Sequence, residues 1–495
     1  MIHVAIVGGG PAAILAALIL ARIPGVIIYL FEEGHPVEWR ICPHNTTGKC
    51  VRCKVCSIVK GIAGGGAGSD GKFLPSKGGE LFNRLGDNTY QKLMEYTASV
   101  YAKYAKMAQV TPNIYGTVKT PYIMDAEKMA REVGLIMELH QITHYGSDGA
   151  RAVFYQMQET LRGYDNVHLY TNTRVTDVNF KTREVHTTSK KLPRKLFDYI
   201  LLAPGRSGSY WVSELCKKNG IDTSYGNLVL GVRAEVPDWI DGHPGPLVQA
   251  NKDVYEAKLR LNFPPGSFVK NAKTFCQCSE AEIAYEYYGP QFGIAPNGAS
   301  SLGRKFPNSN VSLLLGIDVN QVKDPASFIW KFVKKANQQG NGYPICQTYR
   351  AFCEGFPSTI DEFKTLSFKS TEINLHPGDL TKVFNPVMSM SLIDFIERIN
   401  QVFPGFTVDG DLLLHGVEVK PVSFTPTMDE LLQIAPGIFA AGDGVNLSHG
   451  LQPASGSGIY TALMMLKNMS RKDTSILAYY DFLKKEYCFL PDFIK

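Results

Sequence analysis

Two separated glycine–acid patterns and one cluster of thiols carry most of the chemistry legible in these 495 residues. The first pattern, Gly8-x-Gly10-x-x-Ala13, sits between an apolar run at residues 3–7 and an apolar helical stretch at residues 12–22. A turn free of side chains lets a dinucleotide pyrophosphate approach the backbone, and the helix-end amides face its charge. A second apolar run, residues 26–31, ends at Glu32, where a carboxylate can accept ribose hydroxyls. An ordinary tight turn is the plainer alternative, but strand, turn, helix, strand and acid occur here in order. The second pattern, an apolar strand ending in Gly442-Asp443-Gly444, precedes an apolar helix at residues 458–466. Its Asp can hydrogen-bond a ribityl or ribose hydroxyl, with helix capping as the alternative role.

The thiols are Cys42, followed by Pro43, and Cys50, Cys53 and Cys56 at three-residue intervals. Zinc sites more often use two separated Cys-x-x-Cys knuckles, whereas three close cysteines with a remote Cys-Pro fit a [4Fe-4S] cluster. Both metals stay open, as does a redox dithiol. Cys276-Gln277-Cys278 reads as small apolar positions of a strand, with a further thiol pair as the alternative. Cys216, Cys346, Cys353 and Cys488 are isolated.

Periodicity supplies the elements that must hold these residues. Residues 34–86 hold the cysteines and a glycine run and read as one long irregular segment, whose alternative is a flexible linker. Helices are expected at 89–109, 125–139 and 150–162, the last capped by Ser147 or Asp148. Short strands follow between 167 and 185, and a buried strand at 197–202 runs into Ala203-Pro204-Gly205. Residues 227–421 mix strand runs at 228–236, 312–319 and 416–419 with helices at 326–338 and 390–401. The expected fold is α/β: a Rossmann-like cofactor domain of residues 1–226 and 422–495, interrupted by a sheet-based α+β substrate or cap domain, 227–421.

Hydrophobic residues make up 44% and charged residues 20%, the balance of a globular chain rather than a disordered one. The net charge of +5 is scattered, which argues against a nucleic-acid footprint. No apolar run is long enough to span a bilayer. The first strand begins at residue 2, so the expectation is a cytoplasmic protein without a leader.

Three patches, residues 8–32, 200–205 and 437–443, resemble flavoproteins of the glutathione reductase type, with their two dinucleotide-binding motifs. Longer stretches narrow the likeness: Cys42-Pro43, Gly48-Lys49-Cys50-x-x-Cys53-x-x-Cys56, Gly65-Gly66-Ala67-Gly68-Ser69-Asp70-Gly71-Lys72, His144-Tyr145-Gly146-Ser147-Asp148, Thr274-Phe275-Cys276-Gln277-Cys278 and Ser448-His449-Gly450-Leu451-Gln452. Together they resemble the uncharacterised FAD-dependent dehydrogenase family of bacteria and archaea. The chain departs from that family between Ala67 and Ser69, where a bulky residue is usual, and at Ser279-Glu280, where Pro-Gly-Gly is usual.

The resemblance implies FAD, held by Gly8, Gly10, Pro11, Ala12, Ala13, Glu32, Arg40, Gly68, Ser69, Asp70, Val175, Ala203, Gly205, Gly442, Asp443, Gly450 and Leu451. It places Lys72 and His449 beside the flavin ring as catalytic candidates, with surface or phosphate contacts as their alternative. The implied reaction passes hydride or electrons between flavin and a small organic substrate. The electron donor is NAD(P)H or a redox protein, and no dedicated nicotinamide domain is visible. Competing functions are a flavin-dependent hydroxylase or isoprenoid reductase, and a non-catalytic flavin- and metal-binding sensor or scaffold.

Overall fold

The computed structural model describes residues 1–68, 70–226, 228–240, 243–245, 256–407, 412–421 and 424–486. Ser69, an expected cofactor contact, and Cys488 lie outside the described residues.

A six-stranded sheet runs in the order Gln433–Ala435, Ile438–Ala440, Tyr199–Leu202, Ile2–Val7, Val26–Phe31, Val167–Tyr170. All its pairings are parallel except the first. Its central strands are almost continuously apolar, as parallel strands covered on both faces must be. The helix Pro11–Leu20 begins with proline at its first turn, where a missing N–H costs nothing. Eight of its ten residues are buried, because sheet flanks it on one side and the later helix Leu451–Ser470 on the other. Gly458 sets that helix–helix distance: a Cβ there would lie 2.0 Å from the Ala12 carbonyl oxygen.

Seven strands form an antiparallel sheet in the order Ile345–Thr348, Leu413–Lys420, Leu228–Pro237, Asn308–Ile317, Val269–Cys278, Lys258–Asn262, Ile136–Glu138. Alternation along Leu228–Pro237 divides its faces. Leu228, Leu230, Val232, Ala234 and Val236 join an apolar core with Ile329, Trp330, Phe395 and Ile396 from the helices Pro325–Gln339 and Pro386–Val402. The intervening Arg233 and Glu235 point the other way, opposite Ser312 and Asn310, and both are fully buried.

Local readings differ from the structure in several places; the helix expected at 150–162 begins at Gly146, so Ser147 and Asp148 lie in its first turn and Tyr145 is its N-cap. The expected helix at 125–139 is the helix Pro121–Glu132, after which the chain turns at Gly134 (φ +76°) into the strand Ile136–Glu138. The long helix starts at Glu80 inside the segment expected to be irregular, and is kinked at Gly86. The helix expected from residue 458 begins at Leu451, since Pro453 and the small residues after it are tolerated in a buried first turn. The rest of the 34–86 segment holds only short pieces: Val37–Trp39, His44–Thr47, Gly64–Ala67 and Lys72–Phe73. No described helix is long and apolar enough to cross a membrane.

Candidate functional site

The two glycine–acid patterns meet at the N-terminus of the buried helix Pro11–Leu20. Gly8 adopts φ +105°, and a Cβ there would be 2.2 Å from the Ala203 carbonyl oxygen, so only glycine brings the first turn against the Ala203-Pro204-Gly205 turn. From the far side Gly442 closes in, its Cβ position 3.3 Å from that of Ala12, while its N–H donates to Ser457 Oγ at 2.9 Å. Both Asp443 oxygens are engaged: Oδ1 accepts from Ser448 Oγ at 2.8 Å and Oδ2 from the Gly450 N–H at 3.1 Å. Asp443 thereby ties its loop to the start of the helix Leu451–Ser470, for which Gly450 is the N-cap.

Glu32 is buried and binds backbone. Oε2 accepts from Gly9 N–H at 2.7 Å, and Oε1 from Gly34 N–H at 2.8 Å and Gly61 N–H at 2.9 Å. A carboxylate has about four acceptor positions, so roughly one remains for a ribose hydroxyl. The Ala63 N–H also donates to the Gly9 carbonyl at 2.7 Å, which docks the glycine-rich loop onto the first turn. Val175 is buried near Glu32, whose carbonyl accepts from the Thr173 N–H at 2.8 Å. Gly68 lies against the Ile58 carbonyl, 2.6 Å from its Cβ position.

Arg40 serves this loop from inside. Its guanidinium donates to the carbonyls of Ser57, Ile58 and Ile62 at 2.8–3.0 Å. Burial lowers its pKa to about 10, with Glu32 pulling the other way. These bonds clamp the end of the cysteine segment under the first turn.

The four expected metal ligands act on one another: besides desolvation, the charges of Cys56 and Cys53 raise the Cys42 thiol, and those of Cys56, Cys42 and Cys53 raise the Cys50 thiol. Cys50 packs with Ile283, Tyr285 and Ile294, Cys56 joins the apolar core under the antiparallel sheet, and all four are free thiols. Desolvation raises the thiols of Cys42 and Cys50, the latter to about 11, whereas a metal binds the thiolate. Among the described residues no three His, Cys, Asp or Glu side chains form a metal-holding group. The four-thiolate centre expected from the spacing is therefore not shown.

Lys72 does reach an interior site. Its ammonium pairs with Asp70 at 3.0 Å and Glu256 at 2.9 Å, and donates to the Gln277 carbonyl at 2.5 Å. Burial opposes its charge, but Cys276, Glu256 and Asp70 outweigh that and hold its pKa well above normal. Lys72 is thus a fixed cation. Asp70 also meets His144 Nε2 at 2.9 Å. Burial pushes its carboxyl up, but Lys72 and His144 prevail and keep it far below the usual carboxylate range. The unfolded chain then binds the Asp70 proton first as pH falls. Stability from this carboxylate is present above about pH 4 and is lost progressively below it. Urea midpoints measured against pH should show a flatter acid limb for Asp70→Asn than for the parent.

His449 is exposed, with Nε2 2.7 Å from Asn446 Oδ1. Desolvation, then the like charges of Lys420, Lys273 and Arg206, lower its pKa against the pull of Asp443. Those cations were not singled out by sequence. Lys420 lies over the Phe275 ring, and burial with Lys273, Arg206 and Lys258 nearby depresses its pKa. Arg206 directly follows the Gly205 turn, a position that could have drawn attention to it. Its charge is favoured by Tyr288, Glu286, Asp443 and Cys276, overriding burial. Beside it Tyr210, Tyr288, Phe292 and Trp330 line a small hollow of about 20 Å³.

Comparison with known protein families finds no match. An uncharacterised protein of Clostridium beijerinckii is 23% identical over 331 residues, covering 64% of this chain and 52% of that protein. The chain thus spans about half the length of the curated relative it matches. Solved structures similar to it include glycine oxidase from Bacillus cereus (10% identity, TM-score 0.40, 94% of this chain and 96% of that one). Glycine oxidase from Geobacillus kaustophilus (10%, 0.41, 94% and 95%) and L-proline dehydrogenase from P. horikoshii (10%, 0.39, 94% and 93%) are others.

Proposed function

We propose that this chain is an FAD-dependent oxidoreductase that passes hydride or electrons between flavin and a small organic substrate. The observation that carries this reading is the meeting of Gly8–Gly10, Glu32, Gly205 and Gly442-Asp443 around one buried helix N-terminus. Helix amides there favour a pyrophosphate, Glu32 keeps an acceptor position for a ribose hydroxyl, and Asp443 fixes the second loop. When bound, FAD supplies the redox chemistry, and the protein supplies orientation and electrostatics.

In this reading residues 1–226 and 422–495 hold the cofactor, and 227–421 form the substrate side. The strand Ile136–Glu138 crosses that division by pairing with Lys258–Asn262. The cations Lys420, Lys273 and Arg206 favour an anionic group on the ligand. Lys72 orients the Cys276–Cys278 turn through the Gln277 carbonyl. NAD(P)H or a redox protein is the proposed electron donor.

Purified protein, denatured and analysed for released nucleotide, is expected to yield about one FAD per chain, and anaerobic addition of an electron donor should bleach its flavin absorbance. A chain that carries none, and takes up none from excess FAD, would overturn the reading. Flavin reduction at the parental rate in Lys72→Ala or His449→Ala would remove that residue from the chemistry.

A further inference from the structure

Cys276 and Cys278 lie at the irregular end of the strand Val269–Cys278. In a regular strand, residues two apart share a face but stand roughly 6–7 Å apart along it, too far for their Cβ atoms to reach disulfide distance. Here the register slips: three residues, Cys276 to Cys278, advance the strand while its partner advances two, Ser312 to Asn310. Cys276 takes the left-handed conformation, φ +41°, at this bulge. The slip brings the two sulfurs to 3.9 Å, so closing a bond of about 2 Å needs only a local shift.

Two cations hold the bulge by its carbonyls. Arg233 Nη1 donates to the Cys276 carbonyl at 3.2 Å, and Lys72 donates to the Gln277 carbonyl at 2.5 Å. Gly298 leaves room beneath, with a Cβ position 3.1 Å from Cys278 Sγ and 2.6 Å from Arg233 Nη1. The sulfurs are unequal in access: Cys278 is fully buried, while Cys276 is only partly buried. Their chemistry divides in the same way. The hydrogen bond from Cys278 lowers the Cys276 thiol to about 6 despite burial, with help from Lys72 and Arg233. Cys278, donating that bond and buried, is raised well above its ordinary value. One ionised, partly buried sulfur beside one protonated, fully buried sulfur is the arrangement of a redox dithiol, not of two inert core residues.

We propose that Cys276 and Cys278 form a redox-active dithiol–disulfide pair that exchanges electrons with the flavin. The proposal rests on the flavin reading above. In the oxidising direction one S–S bond forms between the Cys276 thiolate and the Cys278 sulfur, and the Cys278 S–H bond breaks. The electron pair and the Cys278 proton both go to oxidised flavin, giving its anionic reduced form, so charge and hydrogen balance. The reverse step opens the disulfide at the expense of reduced flavin. Arg206 feels both the Asp443 carboxylate and the Cys276 thiolate, which links the pair electrostatically to the second cofactor loop. Of the two sulfurs, the partly buried Cys276 is the less enclosed.

The test is an anaerobic reductive titration of the flavin-loaded, air-oxidised protein, with thiols alkylated after denaturation and mapped by peptide mass. The expected uptake is about four electrons per flavin, two for each couple. Before reduction, the peptide spanning 276–278 should be two hydrogens lighter and unalkylated. Cys276→Ser and Cys278→Ser should each lower the uptake to about two electrons, whereas surface Cys353→Ser should leave it at four. An uptake of two electrons by the parent, with both cysteines alkylated throughout, overturns the pair and leaves the flavin reading standing. Four electrons persisting in the variants also overturns it. Absence of flavin absorbance overturns both. Peptide mapping of the parent needs no variant to fold.

Discussion

Arg233→Met is expected to destabilise the protein by about 3–5 kcal/mol, read as a fall in the denaturant midpoint. Arg233 is completely buried, and its donors are shared among Glu418 (2.8 Å to each oxygen), Asn310 (2.7 Å), Ser312 (2.6 Å), Asn297 (3.1 Å) and the Cys276 carbonyl (3.2 Å). Methionine fills similar volume but leaves the buried Glu418 carboxylate with the Ser312 hydroxyl as a donor and no counter-charge. Stranding a buried ion costs more than the pair contributes while intact. The double variant Arg233→Met with Glu418→Leu should therefore recover most of the loss. A double variant as unstable as the single would show that packing at Arg233, and not the stranded charge, sets the effect.

Glu32→Ala is expected to cost about 3 kcal/mol or more and to abolish flavin retention. Three buried N–H groups, from Gly9, Gly34 and Gly61, lose their acceptor together, at roughly 1–3 kcal/mol for each donor left unpaired. They belong to the first turn, the end of the second strand and the glycine-rich loop, so the three segments that shape the cofactor cradle lose their common anchor. Glu32→Gln gives a sharper comparison. Its amide oxygen can serve Gly34 and Gly61, but its NH₂ group then faces the Gly9 N–H, donor against donor. Flavin affinity should fall in the order parent, Gln, Ala, and equal retention in all three would detach Glu32 from the cradle.

The parallel sheet was readable because its signals are local. An apolar strand, a glycine turn and an apolar helix occupy adjacent residues, and Glu32 stands directly at the end of the next strand. The antiparallel sheet was readable only in pieces: Arg233, Glu235, Asn310 and Glu418 look like surface residues until pairing closes them into one buried face. Arg40 shows a related limit. Its residue type suits a phosphate, yet its donors go to carbonyls 17 to 22 positions away, a destination no local pattern encodes. The cysteines were legible only in part. Regular spacing suggested a four-thiolate metal centre, which is not shown, although Cys42, Cys50, Cys53 and Cys56 do act on one another's charge. Cys276 and Cys278 looked like strand positions because a bulge depends on the partner strand.

The order of strands in the parallel sheet has a consequence for how the protein is made. Tyr199–Leu202 pairs with Ile438–Ala440, and the helix Leu451–Ser470 covers the flank of Pro11–Leu20. Both covering elements emerge from the ribosome more than two hundred residues after the strand they complete. At about 5–20 residues per second, the apolar helix behind the first turn waits roughly 20–90 s with one side bare. The antiparallel sheet can pair its strands in that interval. The cofactor cradle is therefore the last part to become competent, and a nascent chain stalled before Ile438 presents its most apolar helix to chaperones rather than to flavin.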